Sequence, residues 1–423
     1  MKLVIRGGRV IDPASNLDAI KDVYIDQGEI VAVESAGAGG LAPDCREILA
    51  EGKLVVPGLI DMHTHLREPG YEYKETIATG CQAAARGGFT SIACMANTDP
   101  VNDNRAVTEY ILRQARLAGG VNVFPIGAIS QGLAGKELAE MGELKDAGAV
   151  AVSDDGRPVM NGQLMRRALE YTKAFDLPVI SHCEDLNLSA GGVMNEGPVS
   201  TRLGLPPISK AAEEAMVARD LILAELTHGR LHIAHVSCAG SVELIRQAKA
   251  RGINVSCETA PQYFSLTDED IGEFNTLCKV NPPLRGREDV EAIKAGLKDG
   301  TIDAIASDHA PHEPDAKEVE FVNAASGMLG LETALALTLK LVHESTLTIN
   351  QAIAKLTVNP ARVLGIPKGT LAVGADADIA IIDMDKEWVV DVNKFASSSK
   401  NSPFDGWKVK GVADMTLING EAI

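Results

Sequence analysis

Histidine and aspartate recur along the chain in short motifs that come directly after apolar runs. Imidazole nitrogens and carboxylate oxygens are the ligands with which proteins hold catalytic zinc, and zinc lowers the pKa of bound water to about 7. Residues two apart on a strand point the same way, so His63 and His65 can reach one ion. The pattern therefore predicts a metal centre that activates water for hydrolysis. The motifs are Asp61-Met62-His63-Thr64-His65, Ser153-Asp154-Asp155-Gly156, His182-Cys183-Glu184, His235-Val236-Ser237 and Ser307-Asp308-His309.

Several of these residues also have an ordinary structural explanation. Taken alone, His182 or His235 would be read as a core histidine, and only their shared position after strands favours a ligand role. Asp154 and Asp155 are also suited to a turn before glycine, so at most one of them is expected to face a metal. Residues expected to lack a role in catalysis are the packed or paired His232, the solvent-facing His228 and His343, and the solvated acidic loop from Glu313 to Glu320.

The elements that must position these motifs alternate regularly between residues 57 and 364. Eight short apolar runs are separated by segments of helical period, which predicts the α/β class and a (β/α)8 barrel of the TIM type. In such a barrel the reactive residues come from the C-terminal ends of the strands. A doubly wound open sheet is the alternative, but no GxGxxG motif follows a strand. The strand candidates are 54–60, 90–95, 121–127, 150–153, 178–181, 231–234, 253–257 and 302–306; the helix candidates include 73–86, 163–174, 210–226, 241–250 and 288–297.

Both ends of the chain have a different character from the middle. Residues 1–56 and 365–423 contain short β-like runs separated by turn-forming residues, with no helical period. Isolated hairpins of this size are only marginally stable. We therefore predict one small β-sandwich domain assembled from both termini, beside a barrel domain of residues 57–364.

Composition restricts the partners and the location. The 423 residues carry a net charge of -18, which disfavours binding to nucleic acid or to an anionic membrane surface. An anionic substrate would need specific local cations. Seven scattered cysteines without a CxxC pair indicate reduced thiols in a cytoplasmic protein. No apolar run approaches the ~18 residues of a membrane span.

The motifs also carry a family resemblance. The segments VVPGLIDMHTHLREPG and ASDHAPH resemble the amidohydrolase superfamily, and within it the cyclic amidohydrolases. The set HLREPG, MANTDP, SDDG, SHCED, AHVS, KVNPPLR and SDHAPH is similar, in order and over nearly the whole chain, to the longer class of bacterial dihydroorotases. This resemblance implies a hydrolase of pyrimidine (UMP) biosynthesis that reversibly cyclises N-carbamoyl-L-aspartate to L-dihydroorotate and water with zinc. It also implies the barrel and the β-sandwich from both termini.

The resemblance further implies a ligand set. His63 and His65 would bind one zinc ion, His182 and His235 a second, and Asp308 would touch the first and act as the catalytic acid and base. Many relatives bridge the two ions with a carboxylated lysine on the fourth strand, but this strand carries none. In the longer dihydroorotases an aspartate takes that place, which here is Asp155. Two zinc ions are favoured, and occupancy by one is left open.

Substrate choice is predicted to come from groups that hold the other end of the substrate. Arg67, two residues past the histidine pair, is suited to grip the carboxylate of dihydroorotate with paired hydrogen bonds. The resemblance adds His65, Asn97, Asn281, His312, Ser326 and Gly327 as residues that contact the substrate. Relatives usually have a phenylalanine before the late glycine, where this chain has Ser326. The resemblance therefore does not predict the local shape of the loop at Ser326.

Two alternatives to this function are considered. A hydantoinase, dihydropyrimidinase or allantoinase would share the fold and metals but act on neutral or differently substituted rings. An inactive homologue could serve as a scaffold, for example for aspartate carbamoyltransferase, but such a protein should have lost metal ligands, and none is missing from the sequence. The predicted partners are a small-molecule substrate, further copies of the chain in a homo-oligomer, and aspartate carbamoyltransferase.

Overall fold

The computed structural model describes residues 2–37 and 45–423. Residue 1 and residues 38–44, which fall within the predicted β-domain, lie outside the described residues. The strands are β1 (Leu3–Asp12), β2 (Leu17–Asp26), β3 (Glu29–Ser35), β4 (Arg46–Leu49), β5 (Leu54–Pro57), β6 (Leu59–Thr64), β7 (Phe89–Cys94), β8 (Asn122–Gly127), β9 (Ala151–Ser153), β10 (Val179–Ser181), β11 (Met194–Asn195), β12 (Pro207–Ile208), β13 (Leu231–Ile233), β14 (Val255–Thr259), β15 (Ala304–Ile305), β16 (Ile379–Val389), β17 (Lys408–Ile418) and β18 (Glu421–Ala422).

Helices separate the strands of the central region. They are α1 (Ile77–Arg86), α2 (Arg105–Ala118), α3 (Met141–Ala147), α4 (Gly162–Thr172), α5 (Pro198–Leu203), α6 (Ala211–Thr227), α7 (Ala239–Ala250), α8 (Gln262–Ser265), α9 (Arg287–Asp299), α10 (Pro314–Lys317), α11 (Ala334–His343), α12 (Ile349–Leu356) and α13 (Val358–Leu364). The Asn161 side chain caps α4 by accepting from the backbone N–H groups of Gln163 and Leu164. The first helix begins at Ile77, after the capping residue Thr76, and so later than the predicted start at residue 73.

Eight parallel strands form the barrel, in the order β6, β7, β8, β9, β10, β13, β14 and β15. A bridge between Thr64 and His309 brings the last strand back towards the first. Small and branched side chains fill the interior, among them Ile60, Ala93 and Ile180. The predicted (β/α)8 fold class is confirmed. Because the interior is filled, polar chemistry is confined to the ends of the strands.

Strands from both termini form the second sheet, in the order β18, β17, β16, β5, β1, β2 and β3, with β4 paired to β1. Strand β1 changes partner along its length: Leu3 to Arg6 pair with β4, and Arg9 and Val10 pair with β5. A β-bulge lies between these stretches, where a Cβ on Gly8 would come within 2.4 Å of the Val55 side chain. Glycine therefore allows the two strands to approach. The sheet encloses an apolar cluster of its own.

One predicted strand is wrong in its bounds. Residues 54–60 do not form the first barrel strand, because the chain passes from the terminal sheet to the barrel within them. Strand β5 pairs with β1 and β16, whereas β6 pairs with β7. The change occurs at Gly58, where a Cβ would lie 2.1 Å from Thr90 Oγ1. As a result, His63 lies inside the first barrel strand and not beyond its end.

The sequence also predicts reduced cysteines and no membrane-spanning segment. All seven cysteines are free thiols, and all except the partly exposed Cys45 are buried. Within residues 2–37 and 45–423, no helix combines the length and the apolar character that crossing a bilayer requires.

Candidate metal centre and substrate pocket

The C-terminal ends of the barrel strands bring the predicted ligands to one place. His63 lies in β6, and the others follow strand ends: His65 after β6, Asp155 after β9, His182 after β10, His235 after β13 and Asp308 after β15. The backbone of His235 has φ 32° and that of Asp308 has φ 50°, conformations that side chains with a Cβ rarely adopt. Such backbone conformations are concentrated at functional sites.

A buried carboxylate beneath the site holds the first and last strands together. Asp61 accepts hydrogen bonds from the backbone N–H of His63 at 3.1 Å and from that of Ser307 at 3.1 Å and 3.2 Å. These bonds fix the backbone one residue before Asp308 relative to that of His63. Asp61 belongs to the first sequence motif, but its position in the sequence does not indicate this structural role.

The first ligand group contains His63, His65 and Asp155, whose ligand atoms all lie within 4.8 Å of one another. His63 Nε2 is 3.5 Å from Asp155 Oδ1, and His65 Nε2 is 3.5 Å from Asp155 Oδ2. Asp308 Oδ1 lies 3.2 Å from His65 Nε2 and 3.6 Å from His63 Nε2. Asp308 therefore stands beside this group.

The second group contains Asp155, His182 and His235, whose ligand atoms also lie within 4.8 Å of one another. Asp155 Oδ1 is 3.5 Å from His182 Nδ1 and 3.3 Å from His235 Nε2, while these two nitrogens lie 2.7 Å apart. Asp155 is thus common to both groups. The neighbouring Asp154 does not enter either group, because its carboxylate accepts from the backbone of Ile129 and Ser130. Only one aspartate of the pair faces the centre, as predicted.

The ring nitrogens that face away from the centre are held by hydrogen-bond partners. His63 Nδ1 contacts Glu258 Oε1 at 2.6 Å, and His65 Nδ1 contacts Asn97 Oδ1 at 2.9 Å. On the other side, His182 Nε2 contacts Glu184 Oε2 at 3.1 Å. Each oxygen can only accept, so whenever one of these rings is neutral its outer nitrogen carries the proton and the lone pair of its inner nitrogen points to the centre. This arrangement is typical of metal-binding histidines.

The charges around the centre favour an added cation. Burial disfavours charge on His63, but the carboxylates of Asp155 and Glu258 outweigh it and raise its pKa well above the usual value. Burial also opposes charge on His182, yet Asp155 and Glu184 raise its pKa to about 10. Conversely, the histidines hold the pKa of Asp155 well below its ordinary value despite burial.

The residues therefore fit a metal centre. His63 Nε2 and Asp155 Oδ1 are buried without a hydrogen-bond partner, and both point into the two groups. Mixed imidazole and carboxylate donors are characteristic of zinc sites, and a shared carboxylate can serve two neighbouring ions.

A cavity of about 250 Å³ opens beside the two groups. Every predicted substrate-binding residue borders it: His65, Arg67, Asn97, Asn281, His312, Ser326 and Gly327. The volume suits a single small ring. Gly327 has φ 134°, and a Cβ there would lie 2.7 Å from the Cβ of Ala310, so this part of the wall requires glycine. Ser326 is exposed, and its carbonyl oxygen accepts from His312 Nε2 at 2.9 Å.

Arg67 supplies the cationic group of this cavity. Its Nε donates to the carbonyl oxygen of Pro311 at 3.1 Å, and its Nη2 lies 3.4 Å from His312 Nε2. Burial lowers the pKa of Arg67 to about 10, which leaves the guanidinium charged at neutral pH. Burial and the charges of Arg67 and Lys74 lower the pKa of His312 to about 2, so this imidazole is neutral.

The acidic stretch 313–320 differs from its prediction as a solvated loop. Its residues Pro314–Lys317 form the short helix α10, and Lys317 is only 3% exposed. The Lys317 ammonium donates to three carbonyl oxygens, those of Thr276 at 2.9 Å, Lys279 at 3.2 Å and Ala325 at 2.7 Å. The prediction is wrong at Lys317, because the aliphatic stem of lysine can be buried when carbonyls satisfy its ammonium, whereas Asp315, Glu318 and Glu320 are exposed as predicted.

Sequence reasoning did not identify the residues that support the ligands. Glu258 holds His63, and His232 lies behind it, with Nε2 3.5 Å from Glu258 Oε2. Glu184 contacts His182 and also accepts from Asn281 Nδ2 at 2.8 Å. Glu184 could have been found, because it lies in the same motif as His182. Glu258 carries only a weak signal, as the penultimate residue of a strand.

Comparisons with known proteins agree with this architecture. Residues 54–423 match the model of the Amidohydrolase family. The chain is 59% identical over 423 residues to a dihydroorotase from Syntrophus aciditrophicus, with 100% of this chain and 99% of the relative covered. It is also 59% identical over 422 residues to a dihydroorotase from Acetivibrio thermocellus, with 100% and 98% covered.

Solved structures of similar fold include enzymes with other names. An L-hydantoinase (dihydropyrimidinase) from Arthrobacter aurescens matches with a TM-score of 0.90 and 28% identity, covering 100% of this chain and 95% of that one. A dihydropyrimidinase from Brevibacillus agri matches with a TM-score of 0.87 and 26% identity over the same shares. Fold similarity therefore extends across enzymes with different names, while the higher sequence identities are to dihydroorotases.

Proposed function

Because this chain belongs to the Amidohydrolase family, and within it to the dihydroorotases, we propose that it interconverts N-carbamoyl-L-aspartate and L-dihydroorotate. The observation that carries this proposal is the pairing of two histidine–carboxylate groups with an arginine across one small cavity. The groups are suited to amide hydrolysis and its reversal, and the arginine is suited to a substrate with a carboxylate. The reaction consumes water in one direction and releases it in the other, as an amidohydrolase should.

We assign the metal positions as follows. His63 and His65 would hold one zinc ion, His182 and His235 a second, with Asp155 shared and Asp308 beside the first. When bound, zinc lowers the pKa of water and polarises a carbonyl group. Two ions are favoured because two separate ligand groups share Asp155. Asp155 is shorter than the carboxylated lysine of many relatives, so metal analysis is the direct measure of occupancy.

Asp308 is assigned the proton transfers. In ring opening, its carboxylate takes a proton from the attacking water and delivers it to the ring nitrogen as the amide bond breaks. In ring closure, it takes the proton from the carbamoyl nitrogen and returns it to the departing oxygen. Asp308 Oδ1 is 3.2 Å from His65 Nε2 and borders the cavity, so it is within reach of both the metal ligands and the substrate. The histidines keep its pKa below the usual value, so it begins as a base.

Substrate recognition is assigned to the remaining residues that border the cavity. Arg67, Asn97 and His312 would bind the carboxylate of dihydroorotate. Asn97 already accepts from His65 through its oxygen, which leaves its NH2 group to donate to the substrate. Asn281, and the backbone at Ser326 and Gly327, would contact the ring. In this arrangement His65 borders both the metal and the substrate.

A second candidate function follows from the similar solved structures. Enzymes named hydantoinase and dihydropyrimidinase have the same fold, and their reaction class would suit the same ligand groups. A charged arginine in the cavity favours an anionic ring over a neutral one. An inactive scaffold is disfavoured by the complete set of ligands.

One assay distinguishes these functions. Purified enzyme is supplied with L-dihydroorotate, N-carbamoyl-L-aspartate, dihydrouracil and hydantoin in separate reactions, and zinc content is measured in the same samples. We expect turnover of the first two compounds in opposite directions. Preference for dihydrouracil or hydantoin would move the function to the second candidate, and inactivity on all four in zinc-loaded protein would favour a scaffold.

We also propose partners and a cellular location for this chain. Family resemblance supports a homo-oligomer and an association with aspartate carbamoyltransferase. Light scattering on a sizing column, with and without that enzyme, tests both. The free thiols of the chain support a cytoplasmic location.

A further inference from the structure

A segment of the terminal sheet reaches the mouth of the barrel. Residues 395–402, between β16 and β17, leave the sheet and contact the loops that follow the first and last barrel strands. Ser399 Oγ donates to the carbonyl oxygen of Lys74 at 2.7 Å, and Leu329 donates its backbone N–H to the carbonyl oxygen of Asn401 at 3.0 Å. We call residues 395–402 the strap.

Asn401, which is only 4% exposed, uses its whole side-chain amide in this contact. Its Nδ2 donates to the carbonyl oxygen of Ala310 at 3.0 Å and to that of Gly327 at 3.2 Å. Its Oδ1 accepts from the backbone N–H of His312 at 3.0 Å. Both N–H bonds and the oxygen of the amide are therefore engaged with backbone groups.

The three backbone groups belong to one wall of the substrate cavity. Ala310, His312 and Gly327 all border that cavity, whereas Asn401 lies behind them and lines a separate cavity of about 450 Å³. The wall is tight, because a Cβ on Gly327 would also lie 3.2 Å from His312 Nε2. A shift of either backbone segment would therefore move the imidazole and change its separation from Arg67.

Resting on the proposed function, we propose that Asn401 is a positioning residue for the carboxylate subsite. It holds His312 and Gly327 at a fixed separation, so that Arg67 and His312 meet the substrate carboxylate together. The terminal sheet thereby contributes to substrate affinity, through a residue that does not touch the substrate.

The chemistry of the amide explains why asparagine suits this position. Aspartate would keep an oxygen that accepts from the His312 N–H. Its second carboxylate oxygen carries no proton, however, and would lie against the carbonyl oxygens of Ala310 and Gly327. Alanine would leave all three backbone groups unpaired in a buried place, which is costly. Asn401→Asp and Asn401→Ala therefore remove different parts of the same contact.

Steady-state kinetics of zinc-loaded protein test the inference. For Asn401→Asp and Asn401→Ala we expect the KM for L-dihydroorotate to rise about 10-fold or more, with a smaller change in kcat and unchanged zinc content. Asn393→Ala is the matched control, because Asn393 is exposed and its side chain bonds only within its own turn to Asp391. It should keep the wild-type KM.

A merely structural role has a different signature. If Asn401 only stabilised the fold, the variants would lose active protein, so apparent kcat would fall while KM stayed constant; that result would overturn the inference. A double variant with His312→Ala adds a second criterion. We expect the fold-increase in KM of the double variant to be well below the product of the fold-increases of the two single variants. A fold-increase equal to that product would contradict action through His312. A wild-type protein inactive on both proposed substrates would overturn the proposed function, and this inference with it.

Discussion

The two ligand groups and the wall formed by Arg67, Ala310, His312 and Gly327 border the same cavity, but they are supported in different ways. The histidines and aspartates of the centre lie in or just after parallel strands, and buried partners such as Glu258 fix their rings. The wall is made of loops, which are held by the nearby Lys317 and by Asn401, a residue distant in sequence. Under the proposed function, the barrel would determine where chemistry occurs and the loop contacts would determine which ring is accepted.

This difference has a consequence for substrate specificity. Loops can change length and sequence without disturbing the strand ladder, so a wall can be remodelled while the ligands stay in place. Damage to the centre should abolish turnover of every substrate. Damage to the wall should instead discriminate between rings with and without a carboxylate. The following variants test that contrast.

Removal of a strand-borne ligand should have the largest effect. For His63→Ala we expect loss of bound zinc and near-complete loss of turnover, because the remaining ligands of its group would hold an ion weakly. Chelation of the wild type should do the same, and added zinc should restore activity. The control is His228→Ala, since His228 is exposed at the end of α6. Full activity in verified metal-free protein would contradict the mechanism.

The proton transfer should be the next most sensitive step. Asp308→Asn should lower kcat by ~100-fold or more, the usual scale for general acid–base catalysis. The backbone at this position has φ 50°, which asparagine tolerates as well as aspartate, so the local fold should survive. Zinc content and kcat are measured together. Near-normal kcat with retained zinc would exclude Asp308 as the proton carrier.

Much of the fold was predictable from local patterns. Seven of the eight predicted barrel strands match the observed ones within a few residues, because apolar runs between helical segments are a local signal. The remaining prediction, 54–60, was wrong because apolar residues continue on both sides of Gly58. The strand pairing shows that the chain changes from one sheet to the other there. The dipeptide Pro57-Gly58 is a local sign of a break, but it does not show that the two halves of the run belong to different sheets.

The residues of the site also differ in whether a local sequence signal could predict them. The motifs brought to the centre were visible because each follows a strand. Asn401 was not, because it acts on His312 and Gly327 across 89 and 74 residues of sequence. Lys317 lies in an acidic stretch and carries no local sign of burial. Supporting contacts of this kind depend on tertiary structure, so spacing in the sequence does not reveal them.

On the wall, Arg67→Met should discriminate between substrates. Loss of a buried contact to a charged partner costs at least ~2 kcal/mol, so kcat/KM for dihydroorotate should fall about 30-fold or more. Dihydrouracil, which lacks the carboxylate, should be affected much less. Both rings use the same metal ligands and Asp308, so the second ring is an internal control. Equal losses on both would mean that Arg67 supports the fold or the centre.

The smallest effect is expected at the base of the strap. Glu332 accepts from the backbone N–H groups of Ala396 at 2.8 Å and Ser397 at 3.3 Å. Burial raises its pKa to about 7, although these two bonds and the charges of Arg86 and Lys400 act in the opposite direction. The unfolded carboxyl, with a pKa near 4.5, loses its proton earlier as pH rises. Between these two values the folded state binds more protons, so this group makes stability fall with rising pH.

Glu332→Gln removes that dependence, because the amide is neutral at every pH and its oxygen can still accept. The melting temperatures of wild type and variant should therefore be close near pH 5, and the variant should be favoured by about 1 to 3 °C at pH 8. Glu344→Gln, at an exposed position, should leave the two profiles parallel. Parallel profiles for Glu332→Gln itself would show that this carboxyl titrates normally. The strap would then be anchored equally well by a charged group.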